Sequence, residues 1–222
     1  MSLPRLYTYF RSGAAQRVRI GLALKGVAYE SIPVHLVRNG GEHLLPAFKA
    51  IDPQARVPVM ELSDGTALAQ SSAILEYLEE TIPEPPLLPA APIERAEVRR
   101  VAAIIGCDIH PLNNVGPLNE LHRSGWSDVQ VAAWISKWIT LGLEAVEQLI
   151  GDEAWCFGNR PGLADIYLAP SFSPPGASRF RSTIFGGYRA LRVLRRHIQH
   201  LSPPHPKINR TPSKRVNSSR SG

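Results

Sequence analysis

Cysteine is scarce in this chain, and its scarcity bears on redox and metal chemistry. Only Cys107 and Cys156 occur among 222 residues. They form no CxxC motif and no zinc-ligand spacing, and a lone disulfide is unusual in a cytoplasmic protein. The histidines are too scattered to predict a metal site. We therefore predict that both cysteines are buried apolar residues and that no metal is bound.

Long apolar runs are missing as well. No segment approaches the ~20 apolar residues that a membrane helix needs. The first residues, MSLPRLYTYFRS, are too polar to resemble a signal peptide. We expect a cytoplasmic protein with no membrane partner.

Acidic residues are absent from the last part of the sequence. Residues 171–222 hold eleven Lys or Arg and no Asp or Glu, so residues 1–170 hold 14 basic against 19 acidic residues, a net charge of −5. The overall charge of +6 therefore belongs to the tail. Because the tail has no recognisable nucleic-acid motif, we expect no nucleic-acid partner.

The first 82 residues alternate between strand and helix patterns. Apolar spacing and turn residues predict, in order, strand 4–10, helix 14–25, strand 29–34, a weak helix 42–51, strands 57–62 and 66–69, and helix 71–80. A strand–helix–strand start predicts a right-handed parallel crossover, and the turn Ser63-Asp64-Gly65 predicts an antiparallel hairpin. The expected unit is a small α/β domain.

The rest of the chain is helical in pattern. A proline-rich stretch near 83–92 predicts a linker after the domain 1–82. Helical patterns cover 93–121, interrupted near Pro111 and Pro117, then 127–150 and 162–169. We predict an all-α domain over 93–170 and an atypical basic tail over 171–222, disordered or partly helical.

Several segments together resemble the zeta class of the glutathione transferase family, over about residues 4–170. They are YTYFRSGAAQRVRIGLALKGVAYE, DPQARVPVMEL, ALAQSSAILEYLEE, CDIHPLNN and LADIYLAP. The resemblance implies a thioredoxin-like N-terminal domain followed by an all-α domain, with glutathione as cofactor and a homodimer as the assembly. It also implies cis–trans isomerisation of a small diketo acid, either maleylacetoacetate, in tyrosine and phenylalanine breakdown, or maleylpyruvate.

The resemblance also implies a set of site residues. Ser12 stands at the catalytic serine, where a hydroxyl and a helix N-terminus both favour a thiolate; a plain N-cap serine would occupy the same position. Gly13 and Ala14 replace the family's second Ser and its Cys. Glutathione would be held by a cis turn at Val57-Pro58, by the pair Gln70-Ser71 at a helix start, and by Arg56.

The second substrate is an anion, and fewer residues are assigned to it. Arg17 and Arg19 can attract its carboxylates, although one of them can equally be structural. His110 and Asn113 match a family segment that faces the second substrate. Two alternatives remain open: a general glutathione-conjugating transferase or peroxidase, and a binding protein without catalysis.

The resemblance stops after Pro170. With permitted codons, residues 170–178 read one base earlier encode QLFAARRF, which the family expects there, so we hypothesise a frameshift near codon 170. Arg179-Phe180 lies about two residues too late to inherit the family's substrate-facing arginine. Gly162 also replaces the usual Ser or Thr that would form a capping box with Asp165, which predicts a weakened helix start.

Overall fold

Four strands form one sheet in the computed structural model, which describes residues 2–151 and 153–172. The strands are β1 (Arg5–Thr8), β2 (Glu30–Pro33), β3 (Val59–Glu61) and β4 (Ala67–Ala69), in the order β2-β1-β3-β4. β1 is parallel to β2 and antiparallel to β3, and β3 is antiparallel to β4. The predicted crossover and hairpin are confirmed.

Three helices belong to this α/β unit: α1 (Gly13–Leu24), α2 (Pro46–Lys49) and α3 (Ser71–Thr81). The weak helix predicted over 42–51 is largely wrong. Short 3₁₀ turns at Arg38–Gly40 and Glu42–Leu44 precede a single α-helical turn in α2. Apolar residues of α1 and α3 pack against β1 and β3 in a core that includes Leu6, Val18, Met60 and Ile74.

The remaining described elements are helical. They are α4 (Pro92–Ala103), a π-helical turn (Ile104–Ile109), a 3₁₀ turn (Pro111–Asn113), α5 (Val115–Arg123), α6 (Asp128–Leu149), α7 (Leu163–Leu168) and a final 3₁₀ turn (Ala169–Phe172). The interruption predicted near Pro111 is confirmed. The one near Pro117 is wrong, because Pro117 lies in the first turn of α5, where a helix tolerates proline. The thioredoxin-like plus all-α fold is confirmed.

One apolar core joins the two parts of the molecule. Ile20 of α1 and Leu75 of α3 pack with buried residues of α4, α6 and α7, including Val101, Leu143 and Ile166. This shared core fixes the N-terminus of α1 beside the helical part of the chain.

The structure changes two predictions on the helical part, the start of α7 and the burial of Cys107. Asp165 accepts the Gly162 N–H at 2.9 Å and the Cys156 N–H at 3.0 Å, so its half of the capping box persists although Gly162 has no side chain to supply the other half. Cys156 is buried as predicted, but Cys107 is exposed, because it lies on an outward position of the π-helical turn. The predictions on the basic tail, including Arg179-Phe180, fall outside the described residues.

None of the helices within residues 2–151 and 153–172 is long and apolar enough to cross a membrane. In the same ranges, no group of three or more His, Cys, Asp or Glu side chains is placed to hold a metal ion.

Candidate active site

The strand register gathers the predicted glutathione-binding segments at one end of the sheet. Val59 pairs with Tyr7 on one side and with Ala69 on the other. Because β3 is antiparallel to both neighbours, the turn before it lies beside the segments that follow β1 and β4. Those segments contain Ser12 and the Gln70-Ser71 pair. Three loops that are distant in sequence therefore meet at one edge.

Ser12 is the N-cap of α1. Its Oγ accepts the Ala15 N–H at 3.2 Å, and its own N–H donates to the Tyr9 carbonyl at 3.0 Å. The N–H groups of Gly13 and Ala14 have no acceptor among the described residues. Since the Ser12 hydroxyl accepts through a lone pair, its proton remains available for a ligand. The end of α1 therefore presents a hydroxyl, two free N–H groups and the positive end of a helix dipole.

The Val57-Pro58 bond is cis, as the sequence predicted. Asp52, a buried carboxylate, shapes the preceding loop by accepting the Arg56 N–H at 2.9 Å. Val57 lies outside the ladder of β3, and its N–H has no partner among the described residues. The turn thus carries a free main-chain donor for strand-like pairing, while the Arg56 side chain is exposed beside it.

Gln70 has a backbone conformation that is rare for a residue with a side chain. Its φ is 67° immediately before α3, and its amide Nε2 donates to the Gln54 Oε1. Ser71 opens α3 and is 7% exposed. A left-handed conformation outside glycine is a strained feature that often marks a binding site. Sequence reasoning missed Gln54, which the motif DPQARVP contains but does not distinguish.

Arg17 is a buried cation with no anionic partner in the described part of the chain. The side chain is 3% exposed, and its guanidinium carbon lies 4.5 Å from the centre of the Tyr167 ring. Its Nε is fully buried and has no acceptor among the described residues. Burial lowers the pKa of Arg17 to about 10, so the guanidinium stays charged at neutral pH. Tyr167, on α7, was not predicted as a site residue.

Arg19 is hydrogen-bonded to β1 and to the residue that follows it. Its Nη1 donates to the Thr8 Oγ1 at 2.6 Å and to the Tyr9 carbonyl at 3.3 Å. These bonds tie α1 to β1 and occupy the side chain. These contacts favour the structural role for Arg19, and its attraction of substrate stays a prediction.

His110 lies against the first turn of α1. A Cβ built on Gly13 would be 3.7 Å from the His110 Cε1. Burial, followed by the positive charges of Arg17 and Arg56, lowers the pKa of His110 to about 4. The imidazole is therefore neutral at physiological pH, and it belongs to the same site as Ser12 and Arg17.

Asn113 lies in the 3₁₀ turn that directly follows His110. Its Nδ2 donates to the Ile109 carbonyl at 2.8 Å, which stabilises the end of the π-helical turn. Its Oδ1 is buried and has no partner in the described part of the chain. The predicted contact of this residue with the second substrate stays a prediction.

Comparison with known proteins decides the family. The family model "Glutathione S-transferase, N-terminal domain" matches residues 11–81. A protein of Pseudomonas aeruginosa named maleylacetoacetate isomerase is 53% identical over 189 residues, covering 85% of this chain and 88% of that protein. A solved maleylpyruvate isomerase described as a zeta-class glutathione transferase shares 43% identity and a TM-score of 0.77, over 86% of this chain and 89% of its own. The chain belongs to the zeta-class glutathione transferases.

One solved relative contains bound ligands. A maleylacetoacetate isomerase of Anaeromyxobacter dehalogenans was solved with dicarboxyethyl glutathione and citrate in the active site. It shares 34% identity and a TM-score of 0.74 with this chain, and the match covers 97% of each.

Proposed function

We propose that this chain is a glutathione-dependent isomerase that converts maleylacetoacetate to fumarylacetoacetate. The observation that carries the proposal is the helix end formed by Ser12 and the free N–H groups of Gly13 and Ala14. It lies at one sheet edge with the cis turn at Val57-Pro58 and the pair Gln70-Ser71. The most similar curated relative reported above bears the name of this activity.

The residues at this edge fit a bound tripeptide. The free N–H of Val57 suits the peptide backbone of the cysteinyl part of glutathione, and Arg56 suits the glycyl carboxylate. Gln70 and Ser71, at the start of α3, suit the γ-glutamyl end, because a helix N-terminus, a hydroxyl and an amide converge there. Two carboxylates and one backbone segment would thus each meet a complementary group.

When bound, glutathione supplies a thiolate that adds to the cis double bond and leaves after rotation about the resulting single bond, so it is regenerated. Ser12 stabilises the thiolate by donating its hydroxyl proton, and the start of α1 adds its dipole. Arg17 attracts a carboxylate of the diketo acid and stabilises the negative charge that develops on it during addition. The neutral His110 lies against the first turn of α1 without adding a positive charge of its own.

The proposal extends to the setting of the enzyme. We propose a cytoplasmic homodimer acting in tyrosine and phenylalanine breakdown, with the diketo acid and glutathione as its small-molecule partners. These statements rest on the family resemblance and on the absence of a membrane-spanning helix among the described residues. Size-exclusion chromatography with light scattering measures the assembly directly.

The test is glutathione-dependent isomerisation by the purified full chain, followed by ultraviolet absorbance, beside Ser12→Ala. We expect turnover that requires glutathione and falls about 100-fold or more in Ser12→Ala, the usual effect of losing a donor to a developing anion. Ser63→Ala, at an exposed serine of the turn between β3 and β4, is the matched control and should retain full activity.

Maleylpyruvate is the second candidate substrate, because a 43% identical solved relative bears that name. Parallel kcat/KM measurements on both diketo acids decide between them. Tight glutathione binding without turnover of either substrate would contradict an isomerase and favour a binding protein.

A further inference from the structure

Arg17 lies against an aromatic ring in a place where a buried cation usually has a carboxylate. The residue is 3% exposed, and its guanidinium carbon lies 4.5 Å from the centre of the Tyr167 ring. The face of an aromatic ring attracts a cation, and the attraction is stronger when both groups are buried. Tyr167 is 6% exposed, so its ring is a strong partner for the Arg17 charge.

The ring leaves hydrogen-bonding capacity on Arg17. A carboxylate would accept two of the five N–H groups of the guanidinium in a bidentate pair. The face of a ring offers no such oxygen acceptor, and the Arg17 Nε is buried without an acceptor among the described residues. The cation is thus stabilised while its Nε donor remains free for an incoming anion.

Tyr167 also carries no charge that would compete with a substrate. Burial raises the pKa of the Tyr167 phenol above its usual value, so the phenol is neutral at physiological pH. An acidic residue at this position would instead repel a carboxylate of the diketo acid. A neutral ring therefore suits a binding site for an anion better than an acidic residue does.

Three elements hold the Tyr167 ring in place. The flanking residues on α7, Ile166 and Leu168, are fully buried in the core that joins the two parts of the molecule. The Tyr167 hydroxyl is hydrogen-bonded to the Ser72 side chain on α3. A Cβ built on Gly106, in the π-helical turn, would lie 2.9 Å from the Tyr167 Cε1, so a side chain there would displace the ring. Packing at its edge and a hydrogen bond at its tip therefore fix the ring.

We propose that Tyr167 is a positioning residue whose ring holds the Arg17 guanidinium at the site of the second substrate and leaves it free to bind a carboxylate. This inference rests on the proposed function, in which Arg17 attracts the diketo acid. It gives α7 a part in the selection of an anionic substrate. It also links that selection to α3, whose first residue, Ser71, is assigned to glutathione.

The test is the preference for a charged ligand, measured by calorimetric titration with dicarboxyethyl glutathione and S-ethyl glutathione, which differ by two carboxylates. We expect Tyr167→Leu to lower the wild-type preference for the dicarboxylate about threefold or more, because a buried cation–π contact corresponds to about 10-fold or more in affinity. Tyr167→Phe retains the ring and should stay within about twofold of the wild-type preference. The affinity for S-ethyl glutathione should change less than about twofold in both variants, since that ligand has no carboxylate for Arg17.

A second variant displaces the ring without removing it. Gly106→Ala places a Cβ against the edge of Tyr167, and we expect it to lower the preference about twofold or more. Ile166→Val, beside Tyr167 on α7, is the matched control, because it removes one buried methyl group and leaves the ring intact. It should lower the free energy of unfolding slightly and leave the preference equal to that of wild type.

A preference in Tyr167→Leu equal to that of wild type would overturn the inference, and so would an equal loss in Tyr167→Phe or Ile166→Val. An unchanged preference in Gly106→Ala would overturn it as well, and that variant decides the question if Tyr167→Leu yields no folded protein. Wild-type protein that binds both ligands equally would overturn this inference together with the role of Arg17 in the proposed function. Wild-type protein that prefers the dicarboxylate but isomerises no diketo acid would overturn only the activity, since the ligand preference still decides the role of Tyr167.

Discussion

Two buried cations lie on α1 and at its C-cap, and they differ in their partners. Lys25, at its C-terminal end, has a fully buried side chain whose Nζ donates to the Glu79 Oε2 at 2.7 Å and to the Ile82 carbonyl at 2.6 Å. Arg17, two turns earlier, lies over the face of the Tyr167 ring and has no carboxylate partner in the described residues. Lys25 therefore has a counter-ion within the protein, whereas Arg17 has none among the described residues.

We infer from this difference that Lys25 is a structural charge and that Arg17 is a functional one. Glu79 also accepts the N–H groups of Leu87 and Leu88, so the Lys25 pair fixes the segment between α3 and α4. Arg17 gains only about 2 kcal/mol from a buried ring, while an unpaired buried ion costs several kcal/mol. Such an arrangement is expected where a ligand supplies the missing anion.

The largest expected effect on stability comes from breaking the Lys25–Glu79 ion pair. Glu79→Ala leaves the Lys25 ammonium and two main-chain N–H groups without an acceptor, and we expect the free energy of unfolding to fall by about 3–5 kcal/mol. Urea denaturation measures it. Glu80→Ala, the exposed neighbour on α3, should change it by less than about 0.5 kcal/mol. A loss below 1 kcal/mol for Glu79→Ala would mean that the pair contributes little.

Arg17→Leu should lower activity and not stability. Because it removes an uncompensated buried charge, we expect the free energy of unfolding to stay within about 1 kcal/mol of wild type or to rise. We expect kcat/KM for the diketo acid to fall about 10- to 100-fold, the worth of a hydrogen bond to a charged group.

Arg19→Leu is the matched control for Arg17, two residues away. It loses the bonds to Thr8 and Tyr9 and should lower stability by about 1–2 kcal/mol while leaving the KM for the diketo acid nearly unchanged. Equal kinetic losses in the two variants would contradict a specific role for Arg17.

The smallest expected effect is a shift at His110. The Arg17 charge disfavours the imidazolium, so Arg17→Leu should raise the pKa of His110 from about 4, and burial, the larger cause, should limit the rise to about half a unit. Titration of the ring by NMR measures it, with Arg123→Leu on α5 as the control. A lower pKa in Arg17→Leu would show that the two groups do not interact as described.

Much of the fold could be predicted because local signals agreed with one another. The bounds of α1 and α3 and the hairpin between β3 and β4 follow apolar spacing and turn residues closely. Ser127 and Gln130 form the capping box that starts α6. The 42–51 segment was harder, because it follows two glycines, Gly40 and Gly41, and Pro46 divides it into single turns.

The candidate site was predicted in its residues but not in their contacts. The sequence cannot show that Arg19 reaches Thr8 while Arg17 reaches Tyr167, because both arginines belong to the same motif RVRI. The π-helical turn gives no periodic signal distinct from an α-helix over six residues. The exposure of Cys107 and the orientation of His110 both depend on that turn.

We infer that Arg17 binds a carboxylate of the second substrate. Two ligands that differ by two carboxylates, dicarboxyethyl glutathione and S-ethyl glutathione, test this claim. Calorimetric titration should show wild type binding the dicarboxylate about 10-fold or more tightly than S-ethyl glutathione, and Arg17→Leu binding the two within about threefold. An equal preference for the dicarboxylate in wild type and Arg17→Leu would contradict the claim.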